Sequence, residues 1–140
     1  MATHSSSCYL DTNCLIYFVL RDSPLHPKGL SVITSIVSSG FNIYISPLCI
    51  DEFLYNLPGT LKQKRLDLKA VLSLPKLKVT NPPDDIKSQL KIPRLMSKFH
   101  LGPRDSYHLL TCLYRKIKYF ATFDHDFDWV FSSNRLTHFQ

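Results

Sequence analysis

At 140 residues, 44% of them hydrophobic and 20% charged, the chain is long enough for one globular domain with a real core and too short for two ordinary ones. Its longest apolar run, Cys14 to Leu20, falls far short of the ~20 residues of a membrane span, and Met1 to Ser7 shows no signal-peptide pattern. We therefore expect a cytoplasmic protein with a single domain over residues 1–140, of which 1–7 form a flexible polar tail. The net charge of +6 permits a polyanionic partner without demanding one. Cys8, Cys14, Cys49 and Cys112 form no CxxC pair and the histidines no HxxxH, which argues against a disulfide framework and against zinc. The cysteines read as small buried hydrophobes.

Ser7 to Leu10 is a short strand candidate, followed at once by Asp11-Thr12-Asn13 and then by a helix over Cys14 to Leu20. Asp and Asn are good helix N-caps, so this acid alone needs no functional account. Arg21 to Pro27 reads as a loop, Leu30 to Ser39 as a helix stopped by Gly40, and Phe41 to Ile45 as a strand. Ser46-Pro47 is a strong helix-start signal, and that helix runs to about Leu57. Asp51 and Glu52 flank its apolar stripe on opposite sides, and periodicity does not choose between them.

Thr60 to Leu74 follows as a helix with Leu61, Leu68, Val71 and Leu72 inward and Lys62, Lys64, Arg65 and Lys69 outward. A short strand over Leu77 to Thr80 comes next, then a helical stretch from Asp84-Asp85 that Pro93 must kink or divide. The last long helix opens near Pro103 and buries Leu109, Leu110, Leu113 and Ile117, with Asp105 beside that stripe. A carboxylate so close to a core needs a neutralising partner: a cation, Arg104 or backbone amides. Tyr119 to Phe123 then reads as a strand buried on both faces, breaking into Asp124, Asp126 and Asp128, and Arg135 to Phe139 as a last strand.

Four places thus share one design, an acid at a strand end or in the first turns of the next helix: Asp11, Glu52 (or Asp51), Asp105 and Asp124, with Asp126 as an extra. In an alternating α/β chain with a parallel sheet these positions gather at one edge. Carboxylates brought that close cannot all stay ionised unaided, and oxygen-only ligands favour Mg²⁺ or Mn²⁺. Thr12, Asn13, Ser46 and Thr122 stand beside them and could orient the acids or bound water. Such a cage suits phosphodiester hydrolysis, with a basic surface outside it to hold the strand.

Tyr9-Leu-Asp-Thr-Asn13, Ile50-Asp-Glu-Phe-Leu54, Arg104-Asp-Ser-Tyr-His-Leu-Leu110 and Ala121-Thr-Phe-Asp-His-Asp-Phe127 resemble the successive acidic motifs of the PIN domain, in the form found in VapC-type toxins. The resemblance spans the chain from Tyr9 to the last strand. It implies a three-layer α/β/α sandwich with a central, mainly parallel sheet. It also implies a Mg²⁺- or Mn²⁺-dependent endoribonuclease, usually paired with an antitoxin protein and often a homodimer. The family's acids fall on Asp11, Glu52, Asp105 and Asp124, with Asp126 open as an alternative ligand. The motif thereby favours Glu52 over Asp51. Where small alanines usually follow the third acid, this chain has Ser106, Thr111 and Cys112, which are still small.

Two other readings compete. A catalytically silent PIN-fold module would bind RNA or a protein partner, but would have little reason to keep every acid. A phosphatase of haloacid-dehalogenase type would want a second acid two residues after Asp11, where Asn13 stands.

Overall fold

A computed structural model of the chain describes residues 6–140. Most of the expected polar tail, residues 1–5, lies outside the described residues. Its last two residues already belong to the sheet: Ser6 accepts a backbone hydrogen bond from Asn42, and Ser7 opens β1 (Ser7–Leu10). Helix α1 (Thr12–Val19) follows after the single residue Asp11, and α2 (His26–Ser38) packs along it. The close approach rests on Gly29, where a Cβ would come within 2.7 Å of the Tyr17 backbone. Helix α2 starts earlier than expected. Pro27 does not exclude it, because the first turn of a helix needs no N–H donor.

Gly40, at φ +72°, makes the turn into β2 (Asn42–Ile45). Helix α3 (Pro47–Asn56) is capped by Ser46, whose hydroxyl accepts from the Cys49 N–H, as the Ser-Pro signal foretold. After α4 (Leu61–Leu72) and β3 (Leu77–Val79) come α5 (Ile86–Gln89) and α6 (Lys91–Phe99). The break between these two falls at Leu90. Pro93 instead lies in the first turn of α6, where its missing N–H costs nothing. Helix α7 (Pro103–Arg115), β4 (Tyr119–Ala121), α8 (Asp128–Ser132) and β5 (Thr137–His138) complete the chain.

The strands form one sheet in the order β3-β2-β1-β4-β5, and every neighbouring pair is parallel. Parallel strands require crossover connections, and here helices supply them, which gives the α/β/α layering that the resemblance implies. The core centres on β1 and β4: Tyr9 stacks on Phe120, and Phe120 on Phe127 at 4.2 Å between ring centres. All four cysteines are free and buried.

One expectation for the core fails. Leu61 and Leu72, assigned inward, are exposed, while Val71 is buried and Leu68 packs against the core. Periodicity fixes a helix face, but only the position of the neighbours decides how much of that face is covered. Leu61 follows the exposed turn at Pro58 to Thr60 and projects with it.

Candidate active site

The strand order reverses direction between β1 and β4. From β1 the chain moves to β2 and β3 on one side; β4 then returns to β1's other flank. Such a switch point leaves a crevice outside the carboxyl ends of the two strands, the preferred ligand site of open parallel sheets. Asp11 directly follows β1, and the loop carrying Asp124 and Asp126 directly follows β4.

Asp11 is both a helix cap and a cleft residue, so the two readings of its position are not exclusive. Its Oδ1 accepts from the Thr12 N–H at 2.7 Å, and its Oδ2 from the Thr122 hydroxyl at 2.7 Å and the Asn13 amide at 3.3 Å. Asn13 in turn accepts the Phe123 N–H, and Thr122 accepts the Asp124 N–H, which pins the acidic loop to the start of α1. Thr12, Asn13 and Thr122 each hydrogen-bond the Asp11 carboxylate. Ser46 does not. Its hydroxyl is taken by Tyr9 and the Cys49 N–H, because capping α3 turns it into the core.

Glu52 on α3 and Asp105 in the first turn of α7 face the same space. Together with Asp11, Asp124, Asp126 and Arg104 they line an open cleft of about 530 Å³. Asp51 lines a different groove beside Pro47, Leu48 and Asn81. The structure thus separates two neighbouring acids that periodicity left equivalent. Burial lifts the Asp105 carboxyl to about 6, and the charges of Asp11, Asp126 and Glu52 push the same way against His108. Burial likewise raises Asp11, with Asp124 adding to it; His108 and the bonds from Thr122 and Thr12 oppose the rise. Arg104 makes no ion pair with Asp105 among the described residues, so it is not the neutralising partner considered from sequence.

His108 is the site residue that the sequence analysis missed. It is wholly buried on α7, and its Nε2 lies 2.7 Å from Glu52 Oε1. On the other side, Nδ1 lies 2.6 Å from the Tyr9 hydroxyl. Burial alone would lower its pKa. The contacts with Cys49 and Glu52 and the charge of Asp11 outweigh that and lift it to about 10. We assign the rise chiefly to Glu52, a carboxylate at 2.7 Å, over the Cys49 sulfur at 3.8 Å. Its spacing could have shown it: three residues after Asp105, it lies on the same helix face.

The donors are of the right kind for a hard divalent ion, since every acid lining the cleft offers oxygen, and the charges of Asp11, Asp126 and Glu52 add to burial in disfavouring the ionised form of Asp105. They share a cleft without meeting at a point. Among the described residues, no three His, Cys, Asp or Glu side chains converge as a metal-holding group. Glu52 is drawn toward His108 and Asp11 toward Thr122, so a bound ion would have to gather them.

Fold and site together define a class: an all-parallel α/β protein with a carboxylate-lined cleft at the switch point of its sheet. The PIN domain family matches residues 8–130. The chain belongs to that family. No curated protein sequence matches it. Among solved structures it is similar to VapBC2 from Rickettsia felis bound to a DNA fragment from its promoter, with a TM-score of 0.68 at 16% identity, over 94% of this chain and 96% of that one. It is also similar to FitAcB from Neisseria gonorrhoeae (TM-score 0.64, 19% identity, 95% and 96% covered). A third is Mycobacterium tuberculosis VapC20, a sarcin–ricin loop cleaving toxin (TM-score 0.68, 12% identity, 89% and 95% covered). At these identities the likeness is one of fold.

Proposed function

We propose that this protein is a metal-dependent endoribonuclease that hydrolyses RNA phosphodiester bonds with activated water, and that it is the toxin of a toxin–antitoxin pair. One observation carries the reading: acids from four separate parts of the chain line a single cleft at the switch point, and Asp105 is held near 6 by burial and by the others' charge. That excess of negative charge calls for a cation. Asp11, Glu52, Asp105 and Asp124, with Asp126, would hold Mg²⁺ or Mn²⁺, and Thr12, Asn13 and Thr122 would steady them. When bound, the ion would polarise a phosphoryl oxygen and ease deprotonation of the attacking water.

The remaining roles belong to the chain itself. Asp11 is fixed from both oxygens and presents a rigid carboxylate at the floor of the cleft. Arg104, exposed at the rim and without an ion pair among the described residues, is placed to meet a phosphate of the substrate strand. The net charge of +6 attracts the polyanion to an otherwise acidic mouth. The choice of RNA and of an antitoxin partner draws support from the family and from VapC20 and VapBC2, which share the fold. This reading puts the protein in the cytoplasm with its substrate.

A second reading has an observation in its favour: no three acids converge among the described residues. A PIN-fold module that binds RNA or a protein partner without cutting it would have no need of convergence. One experiment separates the two. Single-stranded and structured RNA are incubated with the protein in Mg²⁺ or Mn²⁺ and, in parallel, in EDTA, with Asp11→Asn as control. Metal-dependent products from the wild type alone establish the nuclease. RNA retained but uncut, with no stabilisation by metal, establishes the binding module.

A further inference from the structure

Behind the cleft, a buried chain of polar groups joins the three elements that carry Asp11, Glu52 and Asp105. It begins at Ser46, whose Oγ lies 2.7 Å from the Tyr9 hydroxyl. Tyr9 stands on β1 two residues before Asp11, and its hydroxyl lies 2.6 Å from His108 Nδ1. His108 stands on α7 one turn after Asp105, and its Nε2 reaches Glu52 Oε1 on α3 at 2.7 Å. Tyr9 and His108 are fully buried, so neither ring can swing to a solvent-side rotamer.

We propose that His108 is a positioning residue for this cleft: held from behind by Tyr9, it fixes Glu52 Oε1 and leaves the other carboxylate oxygen turned to the ligand. The proposal rests on the nuclease reading above and assigns that site a residue which touches neither substrate nor ion.

The direction of the bond follows from elementary donor chemistry. An ionised carboxylate only accepts, so the Nε2–H must donate to Glu52. That holds in either state of the ring. In the imidazolium both N–H groups donate, Nδ1–H to the Tyr9 oxygen while the Tyr9 hydroxyl donates to Ser46; in the neutral ring that hydroxyl would have to turn from Ser46 to Nδ1, and the proton remains on Nε2. Thr12 Oγ1 also reaches Oε1, at 3.4 Å, whereas Oε2 has no protein partner among the described residues. One oxygen is therefore committed to the protein and the other is free for the cleft that Glu52 lines. A glutamate on a helix has three rotatable side-chain bonds, and without such an anchor its head would sample much of the opening. Groups that orient a ligating carboxylate in this way commonly govern how well it binds.

The bland alternative is that His108 is a core residue whose hydrogen bonds are merely satisfied. The two accounts differ in what substitution does at the cleft. Four forms of the full chain are compared: wild type, His108→Gln, His108→Asn and His108→Leu. The Gln amide reaches from the position of Nε2 and keeps a donor toward Glu52. The Asn amide is too short for Glu52 but still meets Tyr9. Circular dichroism checks folding. Mn²⁺ affinity is measured by calorimetry with the metal alone, and kcat and KM for RNA cleavage are measured at saturating Mn²⁺.

We expect His108→Asn and His108→Leu to bind Mn²⁺ about 10–100-fold more weakly and to lose kcat with KM little changed, while His108→Gln recovers most of both. In a Glu52→Gln background the His108 substitutions should add nothing further. Wild-type affinity and kcat in folded His108→Asn would overturn the proposal alone. So would a Gln variant as impaired as Asn, since the donor would then not matter. A wild type that binds no Mn²⁺ and cuts no RNA overturns the nuclease reading and this proposal with it.

Discussion

The Thr122 hydroxyl donates to Asp11 Oδ2 at 2.7 Å, bridging the carboxyl ends of two adjacent parallel strands from positions 111 residues apart. Thr122 also accepts from the Asn13 amide and the Asp124 N–H, so a single side chain fixes the floor and the acidic wall of the cleft. Thr122→Val keeps the shape and removes the hydroxyl. On the proposed reading it should weaken Mn²⁺ binding by roughly 10-fold without unfolding the protein. Calorimetry against the wild type checks it, and unchanged affinity would show that Asp11 is oriented by its N-cap bond alone.

Asp11→Asn should abolish metal-dependent cleavage, by about 100-fold or more, while raising the metal-free melting temperature by about 2–5 °C near neutral pH. The sign follows from burial. The carboxyl of Asp11 is raised in the fold, so its ionised form is disfavoured there, and the neutral amide relieves that cost. Asparagine still accepts from Thr12 and can donate to Thr122. Melting in EDTA tests this, and a lowered temperature would show that the hydrogen bonds outweigh desolvation.

Glu52→Gln and Asp51→Asn should differ sharply although the residues are adjacent. Glu52 lines the cleft, and Asp51 is exposed beside another groove. We expect roughly 10-fold or greater loss of cleavage for the first and a change within about twofold for the second. A reversed order in a cleavage assay would move the ligand to Asp51.

Two groups predict distinct pH windows. The Asp105 carboxyl is raised from 3.8 to about 6, so its contribution to metal-free stability is complete below 3.8 and is lost as pH rises through 6. His108 is raised from 6.5 to about 10, so its contribution is complete below 6.5 and is lost as pH rises through 10. Denaturation in EDTA should therefore show two descending steps. Asp105→Asn should shrink the acidic one, to which buried Asp11 also contributes, and His108→Gln should shrink the alkaline one, to which the buried Tyr9 hydroxyl and thiols also contribute. Mn²⁺ affinity should climb through pH 6 as the ion ceases to compete with the Asp105 proton. Flat profiles in the wild type would count against both assignments.

Gly29→Ala tests the fold independently of the site. A Cβ there would lie 2.7 Å from Tyr17 backbone carbon and 2.9 Å from Phe18 nitrogen, contacts that α1 and α2 can relieve only by separating. We expect a loss of about 1–3 kcal/mol in urea denaturation. A neutral result would mean that the two helices pack less tightly in solution.

Most of the fold could be read from local signals. Ser46-Pro47 set the start of α3, Gly40 the end of α2, and the apolar run before Asp124 the place of β4, because caps, turns and buried strands are written in adjacent residues; β4 itself stops at Ala121, two residues short of the expected Phe123. Burial was less legible. Leu61 and Leu72 sit at helical spacing yet lie exposed, since periodicity names a face without saying what covers it.

For the site the division is similar. Sequence alone determined that Asp11, Glu52 (or Asp51), Asp105 and Asp124 occur at strand ends or in the first turns of the following helix, because those positions follow from local rules of strand, turn and cap. The tertiary structure decided three further matters: that Asp51 faces away, that Arg104 makes no ion pair with Asp105 among the described residues, and that Tyr9 and His108 stand behind Glu52. These depend on the order in which parallel strands pack and on side chains that meet from positions up to 99 residues apart. No local pattern encodes such meetings, because each is fixed by the closing of the whole sheet rather than by either residue's neighbours.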